Sequence, residues 1–113
     1  MTTYKKPLAM ISQGMNGKSD EEILEVRKKA IEYLESLGYE VINTFYSNNE
    51  VNIDDLRNQG ITNFPVYYLA KSLFDMAKCE AVYFTKDWDQ YRGCLVEHKV
   101  AGLYGLDILY YEE

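Results

Sequence analysis

Three stretches of the chain carry side chains able to act on a small molecule. The first is Ser12-Gln13-Gly14-Met15-Asn16-Gly17-Lys18-Ser19, whose backbone N–H groups and short polar side chains suit a small polar or anionic ligand. It nearly spells a phosphate-binding Walker A loop, with Gly17-Lys18-Ser19 in place but Ser12 standing where the first glycine belongs. No aspartate ends a strand where such enzymes need a Mg²⁺ ligand, and a plain turn between strand and helix is the ordinary alternative. The second stretch, Asp87-Trp88-Asp89, offers a ring for stacking and carboxylates that accept hydrogen bonds from sugar hydroxyls. Its ordinary role is that of solvated turn acids.

The third stretch, Arg92-Gly93-Cys94-Leu95-Val96-Glu97-His98, is the richest in chemistry. Glu97 is expected in the first turn of a helix whose amino end faces a crevice, where the helix dipole favours a carboxylate over a carboxylic acid. Such a residue is either a poised anion or a glutamate that merely stabilises its helix. Cys94 and His98 stand four apart and share a helix face, so a thiol with a histidine base is one reading and a small buried hydrophobe the other. The adjacent Glu97 and His98 diverge around the helix and no second cluster of ligands exists, so neither a metal nor another cofactor is expected.

The elements that must position these stretches follow from periodicity. Residues 8–12 form a short apolar run bounded by Pro7 and glycines, as a buried parallel strand requires. Ser19-Asp20-Glu21-Glu22 has capping-box form and opens a helix. Its apolar positions Ile23, Val26, Ala30, Leu34 and Leu37 recur at helical spacing, and Gly38 follows as a left-handed cap. Residues 39–46 read as a second strand and residues 47–63 as a polar flap, with one helical turn around 53–57. A helix over 65–77 opens on Pro65. A strand over 81–85, a loop over 86–93, a helix over 94–104 ended by Gly105 and a strand over 106–111 complete the chain. Alternating strands and helices predict a three-layer α/β/α sandwich of flavodoxin or Rossmann type, with a parallel sheet of four to five strands in the order 2-1-3-4. In such sheets ligands bind beyond the carboxyl ends of the strands where the order reverses, which selects the loops at 13–18 and 86–93.

Composition narrows the partners. The 113 residues suffice for one domain, and 47% hydrophobic with 27% charged residues is an ordinary globular balance. No stretch is long enough for a membrane span or a signal peptide, so a cytoplasmic protein is expected. The formal charge of −6 argues against nucleic acid as partner, because the Arg27-Lys28-Lys29 run is the one basic cluster. Cys79 and Cys94 have no paired spacing and are read as reduced. Eleven tyrosines provide amphipathic surface for ligand or subunit contact.

The strand with its Gly-containing loop, the later strand, and Arg92-Gly93-x-x-x-Glu97-His98-x-x-Ala101 before a terminal strand resemble the nucleoside 2-deoxyribosyltransferase-like superfamily, and within it a branch of small phage and bacterial domains. The likeness spans nearly the whole chain. It implies that Glu97 attacks the anomeric carbon of a deoxyribosyl group, releasing the base and forming a glycosyl-enzyme ester that passes to a second base or to water. An ionised carboxylate suits the oxocarbenium-like transition state of such a step, as in retaining glycoside hydrolysis. By the same resemblance Ser12, Gln13, Gly14, Met15 and Asn16 line the sugar or phosphate side, and Asp87, Trp88, Arg92 and Gly93 complete the pocket. Ser72 stands where the family carries an aspartate that protonates the leaving base, with Asp89 or Asp75 as substitute acids, and Met10 replaces a tyrosine that assists the nucleophile. The expectation is a homo-oligomeric transferase or hydrolase acting on a deoxynucleoside or its monophosphate. The alternative is a catalytically silent nucleotide-binding protein on the same scaffold, and a Walker-like phosphate binder comes third.

Overall fold

The short apolar side chains of Ala9, Met10 and Ile11 build the centre of β1 (Leu8–Ser12), where none is more than 2% exposed. A computed structural model describes residues 6–42 and 52–111. Burial on both faces is the signature of a strand inside a parallel sheet, and β1 pairs in parallel with β2 (Glu40–Val41) on one side and β3 (Ala81–Phe84) on the other. β4 (Asp107–Tyr110) pairs in parallel with β3, giving the expected order β2-β1-β3-β4. Four strands are present among the described residues, and β2 is shorter than the 39–46 expected, with residues 43–46 outside the described range.

α1 (Asp20–Ser36) starts at Ser19, whose hydroxyl accepts the Glu22 N–H and donates to the Glu22 carboxylate, so the capping box closes on the hydroxyl. It ends where Gly38 takes φ +94°, a left-handed conformation that a Cβ would disfavour. Its buried side chains are Ile23, Arg27, Ala30 and Leu34. The expected stripe is thereby corrected: Val26 and Leu37 face outward at 37% and 50% exposure, and a charged residue replaces Val26 in the buried row. Ala30 and Leu34 pack on Ala9, Ile11, Ala81 and Tyr83.

The opposite face of the sheet, Met10, Val82 and Phe84, packs on Met76 of α3 (Phe64–Met76) and Ala101 of α4 (Arg92–Leu103). The sandwich therefore has one helix over one face and two over the other. α2 (Ile53–Asn58) supplies the helical turn expected there, capped by Asn52, and the flap's residues 47–51 lie outside the described range. Asn63 caps α3 by accepting the Val66 N–H, with Pro65 in the first turn. α4 begins at Arg92 rather than at Cys94, directly after a short 3₁₀ turn over Trp88–Gln90.

Candidate functional site

Beyond the carboxyl ends of β1 and β3, where the strand order reverses, lies a cleft of about 710 Å³. Such crevices are the usual ligand sites of open parallel sheets. Three elements wall it. The loop after β1 contributes Gln13, Gly14, Met15 and Asn16; the start of α3 contributes Asn63, Pro65, Val66 and Leu69; the approach to α4 and its first two turns contribute Gln90, Tyr91, Arg92, Gly93, Cys94, Val96 and Glu97. One wall is thus largely apolar and the others polar.

The loop after β1 owes its shape to a turn in which the Lys18 N–H donates to the Met15 carbonyl at 3.1 Å while Gly17 takes φ +80°. A glycine at the third position meets what such a turn demands. Gly14 has a different reason for lacking a side chain, because a Cβ there would collide with the Tyr91 ring. Tyr91 in turn lies 5.4 Å from the Lys18 ammonium, a cation–π distance. The α1 amino end carries Asp20, Glu21 and Glu22, charges that oppose an anion there. Gly17, Lys18 and Ser19 do not line the cleft.

Glu97 is the one carboxyl among the described lining residues. Because α4 starts at Arg92, Glu97 sits in the second turn and not the first, which corrects the expectation of a carboxylate poised by the first-turn dipole. Helical side chains lean toward the amino end of their helix, which carries its carboxyl toward Gly93 and Cys94. It is 8% exposed, and Oε2 is buried without a hydrogen-bond partner. Burial pushes its pKa up to about 7, with the Arg27 charge pulling the other way. Cys94 is buried against it; desolvation raises the thiol pKa, opposed by the neighbouring Ser12 hydroxyl. That hydroxyl is itself buried with no hydrogen bond of good geometry, while the Ser12 carbonyl accepts from both the N–H and the hydroxyl of Thr85.

The structure gathers Gln13, Gly14, Met15, Asn16, Arg92, Gly93 and Glu97 around one cavity, and leaves the other candidates outside its lining. Ser12 lies buried behind it. Ser72 lies on α3 beyond Leu69, and Asp75, further along α3, pairs with Lys78 at 3.5 Å. Asp87, at φ +63°, and Asp89, which accepts from the Gln90 amide at 3.3 Å, are exposed on the 3₁₀ turn. Trp88 stacks on His98 at 4.2 Å between ring centres, and His98 Nε2 lies 2.6 Å from the Tyr110 hydroxyl. That engagement joins the imidazole to an aromatic group with Phe84, whereas Cys94 lines the cleft. Sequence reasoning missed the Asn63 to Leu69 wall and Tyr91. It also missed Arg27, although Ile23, Arg27, Ala30 and Leu34 recur at helical spacing.

Among the described residues no group of three or more His, Cys, Asp or Glu side chains is placed to hold a metal ion, and no helix is long and apolar enough to cross a membrane. No curated protein and no solved structure matches the chain. A family model does match, over residues 9–110, under the description domain of unknown function (DUF4406). Because the match takes in all four strands and every wall of the cleft, the chain belongs to the DUF4406 family.

Proposed function

We propose that this protein cleaves the N-glycosidic bond of a deoxynucleoside or its 5′-monophosphate through Glu97, passing the deoxyribosyl group to another base or to water. The observation that carries this reading is Glu97 itself, a buried carboxyl with an unpartnered oxygen at the head of a cleft built at the switch point of a parallel sheet. In the proposed step a Glu97 oxygen bonds to the anomeric carbon as the carbon–nitrogen bond breaks, and its electron pair leaves with the base. The base then takes a proton from solvent. Attack by water or by a second base on the ester restores the carboxylate. The apolar wall of Pro65, Val66 and Leu69 suits a planar base, and Gln13, Asn16 and Arg92 suit hydroxyls or a phosphate. We further propose a cytoplasmic homo-oligomer that uses a small nucleoside or nucleotide as its partner and takes no nucleic acid, membrane or cofactor.

A second reading, a silent nucleotide-binding protein, is favoured by the same inventory: Asp89 and Ser72 stand outside the described cleft lining, so no second carboxyl there protonates the leaving base. The two separate on chromatographic detection of free base after incubation with deoxynucleosides and their monophosphates, beside Glu97→Ala. Release by the wild type, lost at least 10³-fold in the variant while ligand still raises its Tm, is expected. Thermal stabilisation of the wild type without any base release would end the enzyme reading.

A further inference from the structure

Arg27 is 3% exposed on α1, a burial that a guanidinium tolerates only with hydrogen bonds and a compensating charge. Its Nη1 donates to Gln13 Oε1 at 3.1 Å, and Gln13 Nε2 donates to the Ile23 carbonyl at 3.0 Å. The Gln13 amide thus spans one turn of α1 in a single orientation, because the reverse would face its NH₂ toward a guanidinium and its oxygen toward a carbonyl. Gln13 lines the same cleft as Glu97. The positive charge on α1 is felt there: Arg27 draws the Glu97 carboxyl toward ionisation against burial, and Glu97 supports the charged form of Arg27 in return.

Among the described residues, the other titratable groups around the carboxyl come from α4 with Tyr91 just before it and from the loop after β1. α4 contributes Arg92 and Cys94 to the cleft lining, and the loop after β1 contributes Lys18, held over Tyr91. The α3 wall contributes only uncharged residues among those described. Neither Arg92, which is exposed, nor Lys18, which stands outside the cleft lining, replaces a buried cation behind the carboxyl.

We infer that Arg27, anchored by Gln13, is a positioning residue for the cleft, its buried guanidinium placing a fixed positive charge behind the lining that Gln13 and Glu97 share. The role in catalysis rests on the reaction proposed above; the charge pairing stands apart from it. A buried cation at this place lets Glu97 act as an anion near neutral pH without a second acid in the cleft, and Gln13 ties that charge to the loop that meets the ligand.

The test is an NMR titration of the Glu97 side-chain carboxyl, assigned with Glu97→Gln, in the wild type, Arg27→Met and Arg27→Lys. The midpoint is expected to rise by about one pH unit or more in Arg27→Met and to return close to the wild-type value in Arg27→Lys. An unmoved midpoint in folded Arg27→Met overturns the inference. If Arg27→Met does not fold, the double variant Arg27→Met/Glu97→Gln decides at pH 8: recovered folding supports the pairing, and a double variant as unfolded as the single one overturns it. Base release measured on the same samples keeps the two readings apart. A midpoint that follows Arg27 in a protein that releases no base retains the charge pair and ends the catalytic role, whereas in an active enzyme the rising limb of kcat/KM shifts with it.

Discussion

At the scale of single residues, the behaviour of Glu97 follows from a balance between burial, which favours the acid, and the Arg27 charge, which favours the carboxylate. With the folded pKa at about 7, above the 4.5 of a free glutamate, the folded state binds more protons than the unfolded chain between those values. The contribution to stability is therefore complete below about pH 4.5 and lost as pH rises through 7. Urea unfolding of wild type against Glu97→Gln isolates this group: the wild type is expected to lose about 3 kcal/mol relative to the variant between pH 4 and pH 9. A difference that stays constant with pH would contradict the buried ionisable carboxyl. In the reaction proposed above, the same group would set kinetics with the opposite sign. A nucleophile must be ionised, so kcat/KM for base release is expected to rise with pH through about 7. Sequence singled out Glu97 but gave it the wrong environment. The dipole argument depends on which turn holds the residue, and a boundary two residues earlier than expected is enough to take Glu97 out of the first turn, where that stabilisation acts.

The elements were legible where one local signal dominated. The strand at residues 8–12, the Ser19 cap and the Gly38 terminus each rest on a few adjacent residues, and alternating strands and helices imply a parallel sheet, for which 2-1-3-4 is one choice of order and the one found. What stayed hidden depends on contacts between distant segments: the α3 wall of the cleft, the seating of Tyr91 on Gly14, and the withdrawal of Trp88 and His98 into an aromatic group with Tyr110. Two glycines show how such contacts divide structural from functional roles. A Cβ at Gly14 runs into Tyr91, whereas a Cβ at Gly93 meets nothing within 4 Å and opens beside the cleft, one turn before Glu97. Gly14→Ala is expected to lower Tm and ligand binding together, because Tyr91 must move. Gly93→Ala lies in the first turn of α4, where the substitution costs no stability, yet it narrows the space over the carboxyl. Thermal melts beside ligand titrations separate the two: Gly93→Ala with unchanged Tm and weakened binding supports this geometry, and a Gly93→Ala that binds as the wild type refutes it.

Over the whole molecule, the two helices flanking the cleft carry apolar side chains that the monomer leaves outside its core. Val66 is 58% exposed and Phe74 67% on α3; Leu95 is 47% and Leu103 67% exposed on α4, with Tyr104 at 78% just beyond it. Exposed apolar side chains of this size are what a contact face between subunits would use. A second copy of the chain is the occupant that the charge allows only on such a face, since each copy carries −6 and the association must come from apolar burial working against mutual repulsion. Val66 and Val96 stand at the cleft itself, so pairing there would also enclose the ligand, and binding and assembly would strengthen each other. Light scattering at micromolar concentration is expected to give at least twice the 13.2 kDa chain mass, more completely at high salt, where the repulsion is screened. Replacing Leu95 and Val66 by Glu should return the chain to 13.2 kDa and weaken ligand binding in the same samples. A wild-type chain that scatters as a monomer at every salt concentration, and binds its ligand nonetheless, would show that one copy closes the cleft unaided.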